Sequence, residues 1–155
     1  MTAHQIEVRI AWLSLMLALV TLGALALIDL HLRNAVSPQG IVSFELCAYT
    51  GSCRAIVEAW GPSGQVWAAL SVGLDYLFML AYAAAIFLAL RLVVTRVPER
   101  LKTFTGGAAW AVWGAGAADA AENYCLTQML VSPAAGGYAR PASILATIKF
   151  VVLGV

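Results

Sequence analysis

Charge is what this sequence most lacks. Only 11% of its 155 residues are Asp, Glu, Lys or Arg, against 62% hydrophobic, whereas an ordinary soluble domain carries about a quarter charged residues. Water is therefore not the main solvent of this surface. The net charge of +1, with its few Lys and Arg scattered among loops, argues against a nucleic-acid partner, because phosphate binding needs a clustered basic face. Histidine is scarcer still. His4 and His31 are the two present and neither falls inside a predicted helix core, which argues against haem held by paired His and against a Glu-plus-His di-iron bundle. Three cysteines occur without a CxxC pair, so the usual active pair of a thiol oxidoreductase is missing. A Ser-centred nucleophile elbow, an HExxH motif and a Walker loop are also missing, and no cofactor is expected.

What is present is long apolar runs. Ile10 to Ile28 is free of charge for 19 residues, longer than a signal-peptide core and without a small-residue cleavage pattern after it, so it reads as a retained helix. The first span is placed at residues 9–32, with Asp29 and Arg33 at i,i+4 to pair at the interface. Two half-apolar pieces follow, Ile41 to Leu46 and Ala55 to Trp60, read as short amphipathic helices on the interface with Trp60 as an anchor. The Gly61-Pro62-Ser63-Gly64 stretch then breaks the chain. A second span is expected at 66–90, interrupted by Asp75, and a third at 104–131, which turns polar at Asp119, Glu122 and Asn123. Ser132 to Gly137 reads as a turn. A fourth span begins near Pro141, carries Lys149, and runs through 155, where its 15 residues fall short of the ~20 needed to cross and suggest truncation. The expected fold class is all-α, a single-domain polytopic membrane four-helix bundle whose long loop carries short amphipathic helices.

Basic residues near the span ends set the orientation. Arg9, Arg91, Arg96, Arg100 and Lys102 fall on one side and Arg33, Arg54 and Arg140 on the other, which favours a multi-pass protein of the inner (plasma) membrane with both termini cytoplasmic. The long loop then faces outward, where a disulfide between Cys47 and Cys53 persists if it forms. The five Trp residues read as interface anchors and packing.

The ionisable residues inside the spans carry the functional information, because each costs about 2.5 to 3.5 kcal/mol at a helix centre and needs a partner. Counting about 1.5 Å per residue from the outer end of each span, Asp75 and Glu122 lie ~14 Å deep, Asp119 ~18 Å and Lys149 ~12 Å, so they can meet in one layer. Helical periodicity puts Val112, Ala115, Gly116, Asp119, Glu122, Asn123 and Leu126 on one face, and Ala68, Ser71, Val72, Asp75, Phe78, Met79 and Tyr82 on another. Three carboxylates against one ammonium leave an imbalance in a low-dielectric site. Either a carboxyl keeps its proton, or a cation or cationic ligand sits there, or water enters from outside. Oxygens of Asp75, Asp119, Glu122 and Asn123 suit a hard cation, while a proton-sharing pair suits a relay or a general acid. A purely structural reading, with Lys149 and Asn123 fixing helix register, also fits. Glu45 on its own reads as a solvated acid on a loop helix.

Gly40 to Leu46 with its Glu45, the LDYLF stretch Leu74 to Phe78 with Tyr82, the DAAEN stretch Asp119 to Asn123, and Lys149-Phe150 together resemble a group of small four-helix bacterial membrane proteins with no assigned activity. The resemblance covers most of the chain. It implies that Glu45, Asp75, Asp119, Glu122, Asn123 and Lys149 belong to one functional set, which draws Glu45 inward, and that the last helix continues past the KF pair. Three functions then compete. The first is a carrier that binds or moves a proton, cation or small cationic ligand, as a homo-oligomer in the lipid bilayer. The second is an intramembrane enzyme acting on a lipid or isoprenoid-like substrate. The third is a structural or assembly subunit.

Overall fold

In the computed structural model, which describes residues 2–94, 96–132 and 136–154, every regular element is helical. Helix α1 (Ala3–Asp29) starts on a capping box, in which the Thr2 hydroxyl accepts the Gln5 N–H and the Gln5 side chain accepts the Thr2 N–H. Two orphan amides are thereby satisfied at a terminus that neighbouring helices do not cover. Two short helices follow, α2 (Ile41–Glu45) and α3 (Cys47–Thr50), then α4 (Cys53–Val94), α5 (Glu99–Val131) and α6 (Ala139–Leu153), the last entered through a single 3-10 turn at Gly136–Tyr138. Helices α1 and α4 are long and apolar enough to cross a membrane. The helices run beyond several of the expected spans, and part of the predicted turn, residues 133–135, lies outside the described residues, as does Val155.

The Gly61-Pro62 break is present as a kink within α4. Gly61 takes φ 60° and ψ −174°, a conformation open to glycine and strained for other residues, and Pro62 cannot donate the amide that would continue the first piece. The Gln65 side-chain amide reaches back to the Val57 carbonyl at 3.1 Å and satisfies one of the groups freed by the kink. Cys53–Trp60 is thus a short arm turned away from the long helix.

The long helices pack in chain order, α1 on α4, α4 on α5, α5 on α6. Contacts fix their directions as antiparallel. Arg91 reaches Glu7, Tyr76 reaches the Ala120 carbonyl, Phe87 meets Trp110, and Lys149 meets Asp119. The buried side of α5 holds Val112, Ala115, Gly116, Asp119, Glu122, Asn123 and Leu126, the same face that helical periodicity picks out.

The long loop departs from its expected position. Rather than lying on the interface, α2 and α3 close over one end of the bundle, with Phe44 and Cys47 completely buried and Cys47 disulfide-bonded to Cys53. Trp60 is buried too, where an interface anchor was expected. Its indole N–H donates to the Leu32 carbonyl at 2.7 Å and to Ser37 Oγ at 3.0 Å, because a Trp can enter a core only where its one polar atom finds a partner. Trp60→Phe keeps the ring and deletes the donor, so it is expected to cost about 1–3 kcal/mol, read as a lowered melting temperature in detergent. An unchanged melt would mean that the loop is held by packing alone.

Asp29, expected as an interfacial partner of Arg33, does bond Arg33 Nε at 2.8 Å. Its other oxygen accepts the Ile41 amide at 2.8 Å, so it also caps α2 from the end of α1. That approach passes over Gly40, at φ 57°, where a Cβ would overlap the Asp29 carboxylate.

Candidate functional site

Lys149 of α6 lies at the centre of the polar cluster. Its ammonium is 3.0 Å from Asp119 Oδ1, 2.9 Å from Glu122 Oε2 and 3.8 Å from Glu45 Oε1, and it sits 5.1 Å from the Phe150 ring centre. Lys149 reaches these acids because its register on α6 puts it against the polar face of α5, and because α2 folds over that point. Asp119, Glu122 and Asn123 are at most 1% exposed, and Lys149 and Glu45 are each 7% exposed. A charge so buried persists only when it is paired.

Two further members are joined through hydrogen bonds. The Tyr82 hydroxyl donates to Asp119 Oδ2 at 3.2 Å, so both oxygens of Asp119 are engaged. Asn123, next to Glu122 on α5, donates its amide to Asp75 Oδ2 at 2.8 Å, and both line the same cavity as Glu45, which sets Asp75 beside the cluster without contact with Lys149. All seven predicted residues therefore belong to one connected region, and Glu45, which alone reads as solvated, is inside it. Burial dominates at Glu45 and pushes its carboxyl above the ordinary value. Lys149 opposes that shift, whereas Asp119 and Asp29 add to it.

Satisfaction is uneven across the cluster. Glu122 Oε2 is paired with the ammonium at 2.9 Å, whereas Glu122 Oε1 and Glu45 Oε2 have no hydrogen-bond partner. Four carboxyls, Glu45, Asp75, Asp119 and Glu122, thus face one ammonium. Among the described residues no group of three or more His, Cys, Asp or Glu is arranged to hold a metal ion, since Lys149 takes the point where Glu45, Asp119 and Glu122 converge. The oxygen set considered for a hard cation is therefore not assembled around an open position.

A cavity of about 450 Å³ lies beside the cluster and is walled by α1, α2, α4 and α5. Glu45, Asp75, Ser71 and Asn123, with Asp29, Arg33 and Gln39, are its polar lining, and Leu22, Leu25 and Ala26 of α1 supply much of the apolar lining. Sequence reasoning assigned α1 no part in the site. It also missed Ser143, which donates to the Glu45 carbonyl at 2.7 Å and accepts the Ala48 amide at 3.2 Å. Tyr49 adds a bond to the Ser143 carbonyl at 3.1 Å. Together these hold α2 and α3 on α6 and fix the position of Glu45. The only sequence signal was a Ser, two turns before Lys149, on an otherwise apolar helix.

No family model, curated protein or solved structure matches this chain.

Proposed function

We propose that this chain is a multi-pass protein of the bacterial inner membrane, with all four long helices spanning the bilayer, and that its polar core takes up a proton or a small cationic ligand from the outer side. The observation that carries the reading is the surplus of carboxyls over Lys149, with Glu45, Asp119 and Glu122 buried, beside a cavity that reaches Glu45 and the half-buried Asp75. Intramembrane ionisable groups mark ion and substrate sites by default, and a positive charge from outside would relieve the repulsion that Lys149 alone leaves.

Four spans are supported by what the outer faces carry. Phe104, Trp110 and Val131 of α5 and Ile144 and Val151 of α6 are exposed, as expected where lipid is the solvent. The excess of Lys and Arg on the α4–α5 connection and near the start of α1 supports cytoplasmic termini. The Cys47–Cys53 disulfide supports an oxidising compartment for the opposite end. A carrier this small would work as a homo-oligomer.

Uptake into liposomes of protons, followed by a pH-sensitive dye, and of methylammonium tests the reading. Asp75→Asn and Glu122→Gln preserve shape and remove charge, and each is expected to lower uptake at least tenfold. Wild-type rates in both variants would overturn it.

A further inference from the structure

We infer that the cavity beside Glu45 and Asp75 is a binding site for an amphiphilic amine, a molecule with a primary or secondary ammonium head and an apolar tail. The inference rests on the cationic reading above and adds what the rest of the ligand must be.

The head is specified at the polar end. Glu45 is 93% buried, lines the cavity, and its Oε2 has no hydrogen-bond partner. Asp75 lines the same space with one oxygen engaged by Asn123. The other charges there are Asp29 and Arg33, which bond each other at 2.8 Å and so largely cancel. What remains unmatched is acceptor capacity and negative charge. A group that donates N–H bonds and carries positive charge answers both, whereas a quaternary ammonium supplies only the charge and an alcohol only a hydrogen bond.

The tail is specified by the opposite wall. Leu22, Leu25 and Ala26 of α1, Ile41 and Val42 of α2 and Val72 of α4 make much of the lining apolar, with Asp29, Arg33 and Gln39 the polar side chains nearest them in the chain. Leu22 is 49% exposed, and it marks where this wall meets the outer surface of α1. From Asp29 to Leu22 the wall descends along α1 by about 10 Å at 1.5 Å per residue. An inorganic cation or methylammonium would leave that surface facing empty space. An alkyl chain fills it and removes its own apolar area from water.

The experiment uses the full chain in lipid nanodiscs and four probes: octylamine, octan-1-ol, octyltrimethylammonium and methylammonium. Octylamine is expected to bind saturably by calorimetry and to raise the melting temperature. Each of the other three should bind at least tenfold more weakly. Octan-1-ol controls for partition into the lipid. Glu45→Gln and Asp75→Asn should each weaken octylamine at least tenfold, and Leu25→Trp, which narrows the apolar wall without touching a charge, at least fivefold. Methylammonium binding as tightly as octylamine overturns the amphiphile and leaves the cationic reading intact. Octan-1-ol equal to octylamine overturns the role of the carboxyls, and binding of neither amine overturns the amphiphile and the cationic-ligand reading together, leaving proton uptake to be decided by the liposome assay.

Discussion

Replacing Lys149 by Met is expected to destabilise the protein by about 3–5 kcal/mol, the cost of removing one partner from a buried ion pair. The ammonium is within 3.0 Å of Asp119 and Glu122 and is the one cation in contact with Glu45, Asp119 and Glu122 among the described residues. Methionine fills nearly the same volume, so packing is largely conserved and the loss reports charge. The carboxyls would have to take up protons or water to remain buried. Lys149→Arg keeps the charge and should lose much less. Glu122→Gln makes the opposite change to the balance. It removes a carboxyl that shares the ammonium with Asp119 and Glu45 and whose Oε1 has no hydrogen-bond partner, and is expected to leave stability unchanged or higher because the other two acids still hold Lys149. Melting curves in one detergent, followed by tryptophan fluorescence, measure all three. A Lys149→Met protein that melts with the wild type would show that the acids are stably neutral and that Lys149 is not what balances them.

Gly40→Ala is expected to cost about 3 kcal/mol or more, from backbone strain of roughly 1–3 kcal/mol and a lost cap of similar size. Gly40 holds φ 57° and ψ −124°, and a Cβ there would overlap the Asp29 carboxylate. Relief requires Asp29 to leave the Ile41 amide, which uncaps α2 and shifts Glu45, four residues on, away from the cavity. Gly51 supplies the control. It also has positive φ, at 69°, but a Cβ there meets nothing within 4 Å, so Gly51→Ala should cost only about 1–2 kcal/mol for the left-handed backbone. Equal melting of the two variants would refute the contact between Gly40 and Asp29 as the reason for glycine.

How much of the site could be read from the sequence differs residue by residue. Asp119, Glu122 and Asn123 follow from their spacing, because on a single helix three residues at i, i+3 and i+4 share a face whatever surrounds them. Asp75 and Tyr82 follow in the same way on α4. Glu45 does not, since a five-residue helix in a loop has too little periodicity to assign a buried side, and its inward position depends on Ser143, nearly a hundred residues away in the chain, which bonds both the Glu45 carbonyl and Tyr49. Trp60 was misplaced for a related reason. An amphipathic piece looks the same whether its apolar side meets lipid or a bundle.

The helices, the break at Gly61-Pro62 and the inward faces of α4 and α5 are legible residue by residue, because apolar run length, backbone sterics and helical period are local. So is the similar depth of a lysine and several acids. Folding in three dimensions is what brings Lys149 to the meeting point of Glu45, Asp119 and Glu122, sets Asp75 against Asn123, and makes α1 and α2 enclose a cavity beside them. Those outcomes depend on how helices cross and on where a loop folds back, which are set by packing between distant segments.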